Sequence, residues 1–267
     1  MARTRIACCQ IAPTIADLAA NTDLIVAAIT AAVTDGAQVI VLPELATSGY
    51  MFADADEARS AAITVAGPEL TAWSAAAGPA VVIGGFCELG DDGRLYNSAA
   101  VVDADGVVAR YRKTHLWDRE KLIFTRGDVR PPVVATAYGA IAVMVCYDLE
   151  FAELTRRAAL DGAELIAVPL NWPWFDRPEG ERPGEVITAM STARTNRVAI
   201  AACDRAGTER GQRWMEATSI ISPEGWVIAE TGPGDGIALA DIDLGLTHDK
   251  SVTEHVDLFA DRRTDLY

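Results

Sequence analysis

The sequence predicts a mixed α/β sandwich, and two patterns carry that expectation. Short runs of Val, Ile and Ala recur with little polar alternation, as in strands covered on both faces. Between them lie alanine-rich runs with helical spacing and several tight-turn signals. Helices and hairpins in one chain point to layers of both kinds.

In chain order, residues 6–12 read as a buried strand. Residues 17–34 place Leu18, Ile25, Ala28, Ile29, Ala32 and Val33 at the spacing of one helix face, and Gly36 supplies the C-terminal stop. A second strand over 39–42 is halted by Pro43. A helix over 68–77 leads into strands over 80–89 and 96–102, with Asp91-Asp92-Gly93 as the turn between them. Asp105-Gly106 then marks a hairpin into a strand over 107–116. The rest offers strands at 141–146, 165–170, 198–203, 218–221, 226–230 and 236–242, and helices at 151–160 and 185–196. No internal sequence repeat is visible. Residues 1–267 read as a single domain, with the polar, irregular stretch 244–267 as a C-terminal arm.

Composition excludes several function classes. The 38 acidic and 23 basic residues give a formal net charge of −15, which repels polyphosphate and anionic lipid, so neither nucleic acid nor membrane is expected as a partner. The plainer role of that charge is solubility. Met1-Ala2-Arg3-Thr4-Arg5-Ile6 runs straight into a strand, with no signal-peptide pattern. No apolar stretch approaches the ~20 residues of a membrane helix. Five cysteines is an odd count without framework spacing, and Cys8, Cys9, Cys87 and Cys203 sit in apolar runs as small hydrophobes. A reduced, cytoplasmic protein is the expectation. No glycine-rich phosphate loop follows a strand, and no cofactor is expected.

Reactive side chains stand at the C-terminal ends of predicted strands, where α/β proteins place their sites. Glu44 follows Val39-Ile40-Val41-Leu42-Pro43, Lys113 follows the strand through Tyr111, and Cys146 closes Ala142-Val143-Met144-Val145. Taken singly, each has a blander reading. Such a carboxylate is more often a cap, such a lysine a surface group, and such a cysteine core packing.

Taken together they form a pattern. Leu42-Pro43-Glu44, Tyr111-Arg112-Lys113-Thr114-His115-Leu116, the loop Glu120-Lys121-Leu122-Ile123-Phe124-Thr125-Arg126-Gly127-Asp128, and Val145-Cys146-Tyr147-Asp148-Leu149-Glu150-Phe151-Ala152-Glu153-Leu154 resemble the nitrilase superfamily of carbon–nitrogen hydrolases. Ala193-Arg194-Thr195-Asn196-Arg197 and Asp204-Arg205-Ala206-Gly207 fit the same order, so the resemblance covers nearly the whole chain. It implies a four-layer α-β-β-α sandwich with pseudo-twofold sheets, and subunits that pair into a homodimer or higher homo-oligomer. It also implies Cys146 as nucleophile, Glu44 as general base, Lys113 as oxyanion stabiliser and Glu120 as a second carboxylate. Glu150 stands where many members carry arginine, and Ala152 where many carry proline. Those departures flank the nucleophile and bear on substrate identity.

The chemistry of these residues is consistent on its own terms. A free thiol has a pKa of ~8.5; a nearby lysine favours its thiolate and a glutamate accepts its proton. Attack on an amide makes an oxyanion for Lys113 and the backbone N–H of Tyr147. Protonated Glu44 then serves the departing ammonia and, afterwards, the water that hydrolyses the thioester.

The pocket is expected from Gly49-Tyr50 and Asn171-Trp172-Pro173-Trp174, with Tyr50, Tyr147, Asn171 and Trp172 as substrate-binding residues; core packing is the competing role for the tryptophans. Residues 175–184 are a lid or a mere connection. His115, His248 and His255 raise a Cys–His alternative, and no close cluster suggests a metal. A small amide is the expected substrate, because Tyr147-Asp148-Leu149-Glu150-Phe151 resembles the amidase branches. Nitrilase and N-carbamoyl amine or amino-acid hydrolase are the rivals within the family. A catalytically silent binding protein of this fold is the rival of another class, and a redox sensor built on Cys8 and Cys9 is disfavoured because adjacent strand residues face opposite ways.

Overall fold

The computed structural model describes residues 3–266; Met1, Ala2 and Tyr267, the ends of the expected domain and arm, lie outside the described residues. The first sheet contains β1 (Thr4–Gln10), β2 (Val39–Val41), β3 (Val81–Leu89), β4 (Leu95–Asp103) and β5 (Gly106–Arg112), with β14 (Gly236–Ile242) added beside β1. The second contains β6 (Val133–Thr136), β7 (Gly139–Val143), β8 (Leu165–Pro169), β9 (Ala199–Cys203), β12 (Ser219–Ile221) and β13 (Val227–Glu230). A short ladder pairs β10 (Thr208–Glu209) with β11 (Gln212–Arg213).

The period-two geometry of a strand explains the apolar runs. Ile6 and Cys8 of β1, Val39 and Val41 of β2, and Ala99 and Val101 of β4 point toward the second sheet. Their neighbours Ala7, Cys9, Ile40, Ala100 and Val102 point the other way, onto α1 (Leu18–Thr34) and α3 (Pro68–Ala77). Cys8 and Cys9 therefore lie in different cores, as their adjacency in a strand requires. On the far side, α5 (Ala152–Leu160) and α6 (Gly184–Asn196) bring Ala158, Val186, Ala189 and Ala193 onto the second sheet. The layers run helix, sheet, sheet, helix, as the family resemblance implied.

Both sheets follow one scheme. In the first, β14 pairs antiparallel with β1, then β1, β2 and β3 run parallel, then β4 and β5 return antiparallel. In the second, β6 pairs antiparallel with β7, then β7, β8 and β9 run parallel, then β12 and β13 return antiparallel. This is the expected pseudo-twofold relation, carried by topology with no repeat in the residues.

Several boundaries differ from the sequence expectation. The strand after Gly106 stops at Arg112, so Lys113 to Leu116 form a loop. The strand expected over 141–146 stops at Val143, and Cys146 opens a 3-10 turn that runs to Glu150 before α5 starts. Strand β6 and the short helices α2 (Ala55–Ser60) and α4 (Glu120–Ile123) carry too little apolar pattern to be seen beforehand. The expected arm is partly ordered: Leu244–His248 form a 3-10 turn, and β15 (Ser251–Thr253) pairs with β16 (Val256–Asp257). Lys250 donates to the carbonyls of Asn196 and Arg197 at the end of α6, and Phe259 packs against the core. Among the described residues no helix is long and apolar enough to cross a membrane.

Candidate active site

Four chain segments meet where the strands of both sheets end. Glu44 arrives just past β2, and it reaches the centre because the chain crosses directly over β3 at Gly85. A Cβ there would stand 2.4 Å from the backbone nitrogen of Leu45 and 2.5 Å from the Cα of Glu44. Lys113 arrives from β5, where its N–H donates to the carbonyl of Asn97 at 2.8 Å and its carbonyl accepts from Gly127 at 2.8 Å. Gly127 is needed for that crossing, since a Cβ would lie 2.2 Å from the carbonyl oxygen of Arg112. Glu120 opens α4.

These three side chains form one buried cluster. Lys113 Nζ donates to Glu44 Oε1 at 2.6 Å and to Glu120 Oε1 at 2.7 Å, and its side chain is fully buried. Asn97 Nδ2 bridges the two carboxylates, at 2.7 Å from Glu44 Oε1 and 3.3 Å from Glu120 Oε1. Glu120 also accepts from Tyr50 Oη at 2.7 Å and from the Trp117 N–H at 3.0 Å. Its acceptor capacity is thereby spent on holding neighbours in place. Glu44 differs: its Oε2 is buried and has no partner.

Burial pushes the Glu44 carboxyl up to about 7, the charge of Glu120 adding to the rise and Lys113 opposing it. Burial also works against the Lys113 cation, but Glu120 and Glu44 outweigh it and hold the ammonium well above its ordinary range. Cys146 has a backbone φ of 48°, a left-handed conformation that is strained for a residue with a Cβ. Its buried thiol is pushed well up, first by burial and then by the charge of Glu44; Lys113 and the backbone N–H of Asn171 pull the other way. Lys113 thus acts on the thiol in the direction expected, toward the thiolate. The desolvation of the sulfur wins, and proton removal falls to a base.

The turn that presents Cys146 is held by Asp148. Its carboxylate accepts from the Val145 N–H at 3.1 Å, Tyr111 Oη at 2.9 Å, Thr114 Oγ1 at 3.0 Å and the His115 N–H at 3.0 Å. The ring of His115 also engages Asp148, through Nδ1 at 2.7 Å, and stacks on Phe151 with centroids 3.7 Å apart. His248 pairs with Glu164, and His255 is exposed. These placements leave the Cys–His alternative without support. Among the described residues no group of three or more His, Cys, Asp or Glu side chains is arranged to hold a metal.

Cys146 opens into a cavity of about 220 Å³ whose lining includes Trp117, Tyr147, Asn171, Trp172 and Phe175. Tyr147, Asn171 and Trp172, expected as substrate-binding residues, line this cavity. Asn171 Nδ2 donates to the carbonyl of Glu44 at 2.9 Å, while its buried Oδ1 has no partner. Tyr50 does not line this cavity but borders a smaller one of about 80 Å³ that shares Trp117, Asn171 and Pro173. Trp174, also considered for the pocket, lies outside both cavities, where Arg213 covers its ring at 3.7 Å.

Comparison with known proteins decides the family. Residues 5–250 match the family described as carbon-nitrogen hydrolase. The chain belongs to the carbon–nitrogen hydrolase family, the nitrilase superfamily. Among its relatives, a nitrilase of Pyrococcus abyssi is 35% identical over 239 residues, 87% of this chain and 87% of that protein. A human omega-amidase is 30% identical over 249 residues, 88% of this chain and 87% of that protein. The structure of an amidase from Nesterenkonia sp. superposes with a TM-score of 0.81 at 27% identity, covering 99% of this chain and 95% of that one. Mutants of the Nesterenkonia sp. AN1 amidase have been seen with acrylamide added at the active-site cysteine and in complex with butyramide. This carbon–nitrogen hydrolase is accordingly a cysteine-dependent enzyme.

In and around the carbon–nitrogen hydrolase cluster stand residues to which the sequence assigned no role. Asn97 touches both carboxylates, and its signal was an amide, beside Ser98, in the mostly apolar run of β4. Arg205 and Glu209 form a buried pair at 2.8 Å, and Glu209 accepts from the N–H groups of Tyr50 and Met51 at 2.9 and 2.6 Å. That pair fixes the loop carrying Tyr50, a long-range contact no local pattern encodes.

The raised Glu44 carboxyl links folding to pH. A carboxyl whose pKa is higher folded than unfolded adds stability below its ordinary value of 4.5, and that stability is lost as pH rises through about 7. Asp204, pushed up to about 7 by burial, acts in the same window. Glu44→Gln is therefore expected to shrink, without abolishing, the fall in Tm between about pH 4 and about pH 8, a range that takes in both values. An unchanged pH dependence in a thermal melt would refute the raised Glu44.

Proposed function

We propose that this chain is an amidase that hydrolyses small aliphatic or ω-amides to a carboxylic acid and ammonia through a thioester on Cys146. The observation that carries the reading is the division of labour between the two buried glutamates. Glu120 is saturated with donors, whereas Glu44 keeps a free buried oxygen and a carboxyl raised to about 7, which suits a general base at neutral pH.

Glu44 takes the thiol proton as sulfur attacks the amide carbon. Lys113 has three donors, of which two are engaged by Glu44 and Glu120; the third serves the oxyanion, assisted by the Tyr147 N–H at the start of the 3-10 turn. Collapse of the tetrahedral adduct breaks the C–N bond, and Glu44 returns its proton to the departing ammonia. Water then gives a proton to Glu44 while attacking the thioester. The second collapse releases the acid and restores the thiol. Glu120 positions Lys113 and Tyr50. The cavity of about 220 Å³ is below the ~300–1,000 Å³ of typical ligand pockets, in keeping with a small substrate.

An amide reaches the thioester by one addition and one elimination. A nitrile first forms a thioimidate that must take up water, a different proton inventory for the same base. For a matched amide and nitrile of one short acyl group, kcat/KM is expected to favour the amide by at least ~100-fold, about 2.7 kcal/mol. Equal values or a nitrile advantage, measured as released ammonia, would replace amidase with nitrilase and leave the Cys146 chemistry standing.

A further inference from the structure

The cavity that holds Cys146 contains two acidic side chains that the proposed chemistry does not use. Glu150 ends the 3-10 turn opened by Cys146, and Glu185 lies in the first turn of α6. Glu150 is at the exposed rim and Glu185 is half-buried. Burial and then the charge of Glu185 push the Glu150 carboxyl up, and no basic group offsets them. Arg156 shares a neighbouring surface cleft with Glu150 rather than this cavity. Two carboxylates facing one small space repel each other and lose hydration, a situation that a ligand cation relieves.

The walls favour the same kind of ligand. Trp117, Tyr147, Trp172 and Phe175 surround the space, with Trp117 and Tyr147 set edge to face at 4.9 Å. Aromatic faces attract ammonium and guanidinium groups, most strongly where water is excluded. A separate feature marks the site as one for a ligand: Asn171 is 2% exposed, lines this cavity and the adjoining one, and leaves its Oδ1 without a partner. A hydrogen-bond acceptor held dry in this way calls for an N–H donor from the occupant. A neutral aliphatic acyl chain would leave both carboxylates uncompensated, and an anionic one would be repelled.

We propose that the preferred substrate carries a cationic group, an alkylammonium or guanidinium, on its acyl chain, seated between Glu150, Glu185 and the aromatic walls while its amide lies at Cys146. This deepens the amidase reading and rests on it. The test compares three end groups on short chains: δ-aminovaleramide (cationic), hexanamide (neutral) and the monoamide of glutaric acid (anionic). In kcat/KM the cationic amide is expected to exceed the neutral one at least ~10-fold and the anionic one at least ~100-fold, through KM, as for a charge placed opposite two carboxylates. Glu150→Gln and Glu185→Gln each lower the cationic-to-neutral ratio, the double variant brings it close to one, and Glu150→Arg shifts preference toward the anionic amide. The ratio is internal to each sample, so partial loss of fold cancels. A ratio near one in the unaltered protein, or one insensitive to both glutamates, overturns the proposal. Nitriles bearing the same end groups separate the two readings: the reactive-group comparison tests the amidase, the end-group comparison tests the cation site. Calorimetric binding of the three amides to the Cys146→Ala protein reads the same order without turnover.

Discussion

Cys146→Ala is expected to lower amide turnover by at least ~10⁴-fold, about 5.4 kcal/mol of barrier, because no other group in the cluster can form the thioester. The fold should persist. The side chain is small, its backbone strain at φ 48° is shared by any residue with a Cβ, and Asp148 holds the turn through neighbours rather than through the sulfur. Intact mass after mixing with substrate should show an acyl adduct on the unaltered protein and none on the variant. Turnover within about tenfold of the unaltered enzyme would end the covalent mechanism.

Lys113→Met is expected to act on stability and on chemistry together. The ammonium is fully buried and is the cation between Glu44 and Glu120. Removing one partner of a buried ion pair costs about 3–5 kcal/mol, so a marked fall in Tm is expected. The oxyanion loses its donor as well, and kcat should fall by at least ~10³-fold. With the cation gone, Glu44 and Cys146 both hold their protons to higher pH, so alkylation of Cys146 by iodoacetamide should shift to higher pH. Adding Glu120→Gln to Lys113→Met should recover part of the stability, since one unpaired charge disappears, and none of the activity. Recovered activity in the double variant, or unchanged alkylation, would show that Lys113 is structural.

Much of this was legible in the residues because it is local. Apolar runs in β1, β2 and β8, the helix faces of α1 and α6, and the reactive groups at strand ends each follow from a few neighbouring residues. What stayed hidden depends on partners far along the chain. Asn97 matters only because Glu44 and Glu120 come to it, from either side in sequence. Asp148 stood within a recognised motif, yet its task is to tie Tyr111, Thr114 and His115 to the turn, which needs both sheets in place. The direction in which Lys113 acts on the thiol was legible, whereas the desolvation that outweighs it is a property of the assembled core. Strand β6 is a short, half-exposed edge with weak patterning of its own.

The matching scheme of the two sheets has a consequence for how the protein is made. In the second sheet, β6 precedes β7 and the two meet through a tight hairpin that closes at Thr136 and Gly139. The counterpart of β6 in the first sheet is β14, which is synthesised after every other strand of both sheets and lies with Ile242 opposite Thr4. A nascent chain can therefore finish its second sheet while β1 still has one open edge, a row of unpaired backbone groups of the kind that recruits other chains. Closure of that edge must wait for nearly the whole sequence to emerge, and such distant pairing is slow. Truncation just before residue 236 would leave that edge open, and the shortened chain is expected to aggregate where the full one stays in solution.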